Sequence, residues 1–369
     1  MHENLAKRSW NHSIRLTTGA IALLCSPNAI LAQAGELIAK GGITLVHQQE
    51  LGSGADDTSA SGDLSLTLPT ASGSWFLYIE GATGTDADSI FNRYPEINGD
   101  ANSVLDRDGG GHIQVSEFLY RMNVGKRSQL MFGQIDTSAQ IDRSRISNDE
   151  NTQFLGASFV NNPTIAFPDY TLGMLFRRFA KDSSPELSFI LSASDGIADN
   201  PSRSYSELID VTGAGKGVFA AVGARWFLGE TEIGAGMWAR TDNHQVLNDA
   251  SRESKNRGVF AVYGISRGPQ KLNLRVGIAN ASVARAARFA GLSYEYQRGA
   301  GTLGLGVARI FESHRARNAS SGNTDHVEAW YRAPLATDYL HLTADIQYVR
   351  NPGFDNSGTI ADAYALVAG

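Results

Sequence analysis

The sequence predicts an all-β fold: a transmembrane, antiparallel, up-and-down β-barrel of about 16 strands. Three observations predict it. Apolar and polar residues alternate with period two almost everywhere beyond residue 34. Short turns and long polar connections alternate along the chain. The 369 residues hold Gly 39 against Pro 10 and only 19% charged side chains, a composition of many strands and turns.

Bulk charge and the N-terminus bound the function. A net charge of -6 without a long basic cluster leaves no electrostatic footprint for nucleic acid. Lys7, Arg8 and Arg15 precede the apolar LTTGAIALLC, and Ala32 and Ala34 form a signal-peptidase pattern, so residues 1–34 are expected to be a removed secretory signal. Ser26, Pro27 and Asn28 interrupt the run before the roughly 20 apolar residues that a spanning helix needs. The only cysteine, Cys25, lies in this segment, and Leu24 stands where a lipid anchor requires a small residue. Residues 35–369 are then one exported barrel domain without disulfides or a thiol nucleophile.

Strand candidates follow in order: GITLVHQQ, DLSLTL, WFLYIEG, HIQVSEFLYRM, QLMFGQIDTS, YTLGMLFRRF, ELSFILSAS, GVFAAVGARWFL, TEIGAGMWAR, GVFAVYGIS, KLNLRVGIA, RFAGLSYEYQ, TLGLGVARIF, HVEAWYRA, YLHLTADIQYV and DAYALVAG. QKLNLRVGIA shows the pattern best. Leu272, Leu274, Val276 and Ile278 share one face, and Lys271, Asn273, Arg275 and Gly277 the other. In TEIGAGMWAR, Ile233, Ala235, Met237 and Ala239 oppose Glu232, Trp238 and Arg240. Such alternation also suits a soluble sandwich. The connections discriminate: VGKRS, KDSSP, LGE, SRGPQ and RGAG follow even strands, whereas DGIADNPSRSYSELIDVTGAGK and TDNHQVLNDASRESKNR follow odd ones. Membrane barrels segregate short periplasmic turns from long outer loops in this way. The longest connection, Ala139 to Pro168, lies between strands five and six and is expected to carry some helix.

GQIDTSAQIDRSRISNDENTQFLGASFVNNPTIAFP and TADIQYVRNPGFDNS resemble the two most recognisable segments of carbohydrate-selective porins, the OprB family, and HIQVSEFLY resembles the strand just upstream. The resemblance runs over most of the mature chain. It implies a 16-stranded channel in the outer membrane of a Gram-negative bacterium that passes small carbohydrates by facilitated diffusion. It also implies outer-membrane lipid around the barrel, insertion by barrel-assembly machinery, a homo-oligomer as one assembly, and a constriction loop at Ala139 to Pro168 folded into the lumen. One departure is that the chain stops at Gly369 rather than on an aromatic residue, so the last strand is expected to be incomplete.

A sugar channel replaces water around hydroxyls with side-chain donors and acceptors, and an aromatic ring can stack on a pyranose. The long loop offers Arg143, Arg145, Asn148, Asp149, Glu150, Asn161 and Asn162; the strand faces offer Asp136, Arg177, Trp238 and Arg240. Any one of these can equally be ordinary wetted lumen. Arg177 shares a face with Thr171 and Gly173, which aims it into a wet lumen where no buried partner is expected.

DRDGGGHIQVSE, Asp106 to Glu117, satisfies much of a twelve-position calcium loop, with acids at one and three, glycine at six and glutamate at twelve. Its flanks lack the helices of a helical hand: Pro95 and Gly99 precede it and GKR follows. The favoured reading is a turn feeding a strand, with Phe118, Tyr120 and Met122 toward lipid and Glu117 and Arg121 toward the lumen, although Asp106 and Asp108 can still bind calcium from a loop. GISRG precedes a strand rather than the helix of a nucleophile elbow, GAGKG lacks the hydroxyl residue of a phosphate loop, and the histidines show no metal-ligand spacing. No catalytic residue, cofactor or metal is therefore expected. Two rivals remain, a secreted calcium-binding β-protein and a barrel hydrolase.

Overall fold

The computed structural model describes residues 14–15, 35–84, 89–102, 110–197, 205–213, 215–316, 322–335, 339–352 and 364–368. Asp106, Asp108 and all but Ile14–Arg15 of the expected signal segment lie outside them.

The sheet is 17-stranded when the two-residue Ile14–Arg15 pairing is included. The other strands are β1 (Ile38–Glu50), β2 (Asp56–Thr70), β3 (Gly73–Ala82), β4 (Ile113–Val124), β5 (Ser128–Ile135), β6 (Thr171–Arg178), β7 (Glu186–Ala193) and β8 (Val218–Leu228). They continue as β9 (Thr231–Val246), β10 (Asp249–Arg267), β11 (Gln270–Ala279), β12 (Ala286–Arg298), β13 (Gly301–Glu312), β14 (Thr324–Pro334), β15 (His341–Arg350) and β16 (Tyr364–Ala368). Each pairs antiparallel with its chain neighbour, and β16 also pairs with β1 through Val367↔Glu50 and Ala368↔Gln49. Every predicted strand has its counterpart.

The alternation resolves into an inside-out pattern. On β11, Leu274, Val276 and Ile278 are 42%, 37% and 55% exposed, whereas Asn273 and Arg275 are each only 2% exposed. The same parity exposes Leu303, Leu305 and Val307 on β13 and Leu172, Met174 and Phe176 on β6. An exposed apolar face this extensive needs a hydrocarbon solvent, because in water it would drive association.

Turns keep the predicted asymmetry. Gly125, Gly229, Gly268 and Gly299 sit in the short turns after even strands with φ of 66°, 65°, 57° and 61°, a conformation that side chains with a Cβ resist. One expected long loop is corrected. Most of TDNHQVLNDASRESKNR extends the β9–β10 hairpin, with Asn243↔Lys255, His244↔Ser254 and Gln245↔Glu253 in register. Polar side chains on both faces of a wetted ladder leave no hydrophobic alternation to read.

Two connections fold inward. The stretch after β3 forms α1 (Ile90–Arg93) and α2 (Gly99–Asn102), and Ile90, Phe91, Tyr94 and Ile97 pack on Val349 of β15. The connection after β5 carries the expected helical content only as α3 (Ala157–Val160). Its Ile141 and Ile165 pack with Leu119, Leu175, Phe219 and Phe260 of the wall. Phe154, Phe159 and Val160 pack with Phe289, Ile310 and Trp330. Gly306 makes room for them: a Cβ there would lie 2.6 Å from the Phe159 ring.

The exposed apolar face generates a test. Leu305→Arg, at the middle of the exposed run Leu303, Leu305 and Val307, should destabilise the folded barrel in liposomes by about 2–4 kcal/mol, while Gln297→Arg at the exposed short-turn end stays within about 0.5 kcal/mol. Equilibrium unfolding in lipid measures both, and equal, near-zero effects would mean that the outer face meets water.

Candidate functional site

The candidate site is the lumen beside the connection between β5 and β6. Its base is tied before its tip is placed: Asp136 Oδ1 accepts from Ser138 Oγ at 2.6 Å and from Ala139 N at 3.1 Å, and Thr137 Oγ1 donates to Pro168 O at 2.9 Å. The Glu117 carboxylate on β4 accepts from Asp136 N at 3.4 Å. Two bends, at Asp142 (φ 52°) and Ser147 (φ 58°), turn the loop back on itself.

Arg275 holds the returning limbs together. Its Nη1 donates to Phe159 O at 2.6 Å and Val160 O at 2.7 Å, and its Nη2 to Asp142 O at 3.2 Å and Ser147 O at 3.3 Å. Its Nε lies 3.1 Å from the Asp142 carboxylate. A buried cation is tolerated here because four carbonyls and one carboxylate surround it. Three strands along the wall, on β14, Glu328 accepts from Leu155 N and Gly156 N, both at 2.9 Å, at the start of α3. The two inward loops meet through Gly99 N to Leu155 O at 2.9 Å and Ala157 N to Glu96 O at 2.9 Å.

The loop so placed completes a charged cluster with β6–β9. Arg143 pairs with Glu186. Arg177 Nη2 donates to Gln140 Oε1 at 2.7 Å, with its Nε 3.8 Å from Glu186. Arg225 Nη2 donates to Glu232 at 2.9 Å, and Glu232 also accepts from Ser144 Oγ at 2.6 Å and Arg145 N at 3.0 Å. The Arg145 and Arg225 guanidiniums lie 4.7 and 5.0 Å from the Phe227 ring centroid. Burial, then repulsion from Arg177 and Arg225, pulls Arg143 well below the usual guanidinium range, opposed by Glu186 and Glu232. Four arginines against two glutamates leave this cluster at +2. A cavity beside it is lined by Gln140, Arg143, Glu186, Ser188, Arg225 and Val262.

The sequence-selected residues separate into groups. Arg143, Arg145 and Arg177 come together; Arg145 alone of these keeps a half-exposed side chain, at 53%. Arg121 lies against Phe76, 4.0 Å from the centroid, on the inward face it shares with Glu117. Arg177 is fully buried beneath the loop, so the expectation that it stands in open water without buried partners is corrected: the loop covers it with Gln140. Trp238 is 3% exposed and stacks on Phe219 at 6.2 Å, which leaves its ring no open face for sugar. Asn162 is an anchor, its Nδ2 donating to Val276 O at 3.0 Å while Oδ1 accepts from Thr164 N and Oγ1; Asn161 caps α3. Arg240 belongs to another cluster, bound to Asp242 at 3.1 and 3.0 Å and to Asp195 at 3.2 Å.

Glu186, Arg225, Phe227 and Arg275, and the first inward loop, also belong to the site and are not marked by any motif in the sequence. Their inward parity was the only signal present. Among the described residues no group of His, Cys, Asp and Glu is arranged to hold a metal.

Comparison with known proteins agrees with this architecture. Residues 208–366 match the sequence model of the family described as carbohydrate-selective porin, OprB family. The high-pH structure of Pseudomonas putida OprB is similar at a TM-score of 0.67 and 13% identity, covering 89% of this chain and 92% of that one. A mutant Rh. blastica porin is similar at a TM-score of 0.51 and 12% identity, over 90% of this chain and 99% of that one. An uncharacterized protein of Aquifex aeolicus is 31% identical over 85 residues, 23% of this chain, and the match spans 27% of that relative's length. At these identities the structural likenesses establish the fold, a porin-like barrel.

The Arg275 geometry generates a test. Arg275→Ala breaks the buried ion pair with Asp142 and removes the donors to four loop carbonyls, so it should lower barrel stability by about 3–5 kcal/mol, whereas Asn273→Ala, which removes one hydrogen bond to Ser144 Oγ at 2.8 Å, costs about 1 kcal/mol. Protease cleavage within residues 139–168 should accelerate in the arginine variant alone. Equal cleavage in both variants would remove Arg275 from this role.

Proposed function

We propose that this chain is an outer-membrane channel of the carbohydrate-selective porin family that passes small carbohydrates by facilitated diffusion into the periplasm of a Gram-negative bacterium. The observation that carries the reading is the half-exposed Arg145 guanidinium above Phe227, beside Arg143, Arg225, Glu186 and Glu232. Guanidinium forks donate to adjacent hydroxyls, the carboxylates accept from them, and the ring edge offers an apolar surface to a pyranose. The two glutamates offset half of the arginines' charge, so a neutral solute meets many hydrogen-bonding groups of both kinds, donors and acceptors. Release then stays fast, as conduction requires.

The family match over residues 208–366 supports the same substrate class. Passive diffusion needs no catalytic residue and no cofactor. Membrane lipid surrounds the apolar exterior, barrel-assembly machinery inserts the chain, and Glu117, Arg121, Asp136, Arg143, Arg145, Asn161 and Arg177 remain the sequence-selected residues nearest the passage or its supports.

Single-channel recording separates contact residues from supports. Arg145→Ala should weaken sugar block roughly tenfold, the loss of one charged hydrogen-bond donor, and shift ion preference toward cations while thermal stability is kept. Arg177→Ala should instead lower thermal stability, because Gln140 loses its buried donor and Glu186 loses one of the cations around it. Unchanged sugar block in Arg145→Ala, measured over mono- and disaccharides, would sink the sugar-contact reading of this cluster.

A further inference from the structure

The outer face of β12–β15 changes character abruptly at the end that carries the long connections. One rung is wholly apolar: Leu292 opposite Val307, opposite Val327, opposite Tyr348, with exposures of 40%, 50%, 41% and 37%. The rung nearer the short turns continues it with Tyr294, Leu305, Ala329 and Ile346. The next rung toward the long connections is Arg309 opposite Asp325, opposite Arg350. Arg288 stands beside it, directly opposite Phe311. Both Arg288 and Arg350 are exposed, and their strand parity points them to the same outer face as the apolar rungs.

The cluster is organised around two contacts. Arg309 makes a forked pair with Asp325, Nε at 2.5 Å and Nη2 at 2.9 Å from the carboxylate oxygens. The Arg288 and Arg309 guanidiniums lie 5.3 and 6.0 Å from the Phe311 ring centroid. Among the described residues of these rungs, three arginines against one aspartate leave +2 just past the apolar band. The concentration is local: the outward pair at the same end of β1 and β2 is Gln49 opposite Asp56.

We infer that Arg288, Arg309 and Arg350 form a binding site for the phosphate of an anionic membrane glycolipid in the leaflet at the long-connection end of the barrel. The inference rests on the reading of the chain as a membrane barrel, not on what the channel passes. Three physical points support it. The cations begin one rung beyond the apolar band, which is where lipid headgroups lie. Planar guanidiniums match tetrahedral phosphate oxygens with paired donors, and arginine loses little hydration on binding them. The Asp325 carboxylate and the Phe311 ring hold Arg309 and Arg288 in place, so less side-chain freedom is lost when a phosphate arrives.

The test uses the full barrel in zwitterionic nanodiscs, titrated with bisphosphorylated lipid A and followed by native mass spectrometry. Arg288→Gln combined with Arg350→Gln should weaken binding roughly tenfold, while Arg178→Gln, exposed at the short-turn end of β6, leaves it unchanged. Dephosphorylated lipid A should bind the parent no better than the phosphorylated form binds the double variant. Equal binding by parent and double variant would overturn the site. So would equal binding of the two lipid A forms, or displacement by inorganic phosphate at the same concentration. Heat-modifiable migration checks folding, and if the double variant fails it, Arg350→Gln alone is judged by the same comparison. Sugar block recorded on the same preparation keeps the readings apart: a parent barrel without sugar preference but with phosphate-dependent lipid binding overturns the transport reading only.

Discussion

The buried Arg275 guanidinium is the constraint on which the lumen depends. It stands on the inward face of β11 and gathers oxygens from residues 142, 147, 159 and 160, joining the outgoing and returning limbs of one loop to a single wall position. A loop of this length would otherwise sample many conformations in water, and the space left inside the barrel would have no fixed width. The positive charge is what makes one residue sufficient. It offers donors to four carbonyls at once, and the Asp142 carboxylate offsets the cost of burying it.

That anchoring explains a feature of the barrel interior, namely apolar packing inside a polar wall. The Ile141–Ile165 limb lies on one side of the barrel and the Phe154–Val160 limb on another, each against its own patch of inward apolar side chains. Glycines at inward positions let the loop approach the backbone. A Cβ at Gly277 would stand 2.0 Å from Thr164 Oγ1 and 2.5 Å from Asn162 Oδ1. The interior is therefore a set of small cores arranged around the space they leave open.

Charge is distributed around that space unevenly. Arg121, Arg143, Arg145, Arg177 and Arg225 gather toward β4 and β6–β9, while Glu328 and Asp345 stand on β14 and β15, where Glu328 grips the start of α3. The basic groups are interleaved with Glu186 and Glu232 rather than left bare. Such interleaving favours hydrogen bonding over net attraction, and it ties the loop's position to its electrostatics: a displaced loop would break the ion pairs of Arg143 and Arg145 together.

The sequence by itself determined the wall. Period-two alternation, glycine turns after even strands and long connections after odd ones are local properties, and residues two apart on a strand must share a face whatever lies opposite. Thus Arg275, Glu117 and Arg121 could be assigned to the inward side, and Leu274 and Phe118 to the outward side, before any contact was known. Tertiary structure alone decided which inward residues remain open to the lumen. Arg145 and Arg177 look alike in sequence, yet one keeps a half-exposed side chain and the other lies beneath Gln140. Trp238 shows the same limit, since its parity is right but Phe219 covers its ring. Exposure inside a barrel depends on where a distant loop comes to rest, and that position is set by contacts such as Arg275 with Phe159, 116 residues apart in the chain, which no local pattern encodes.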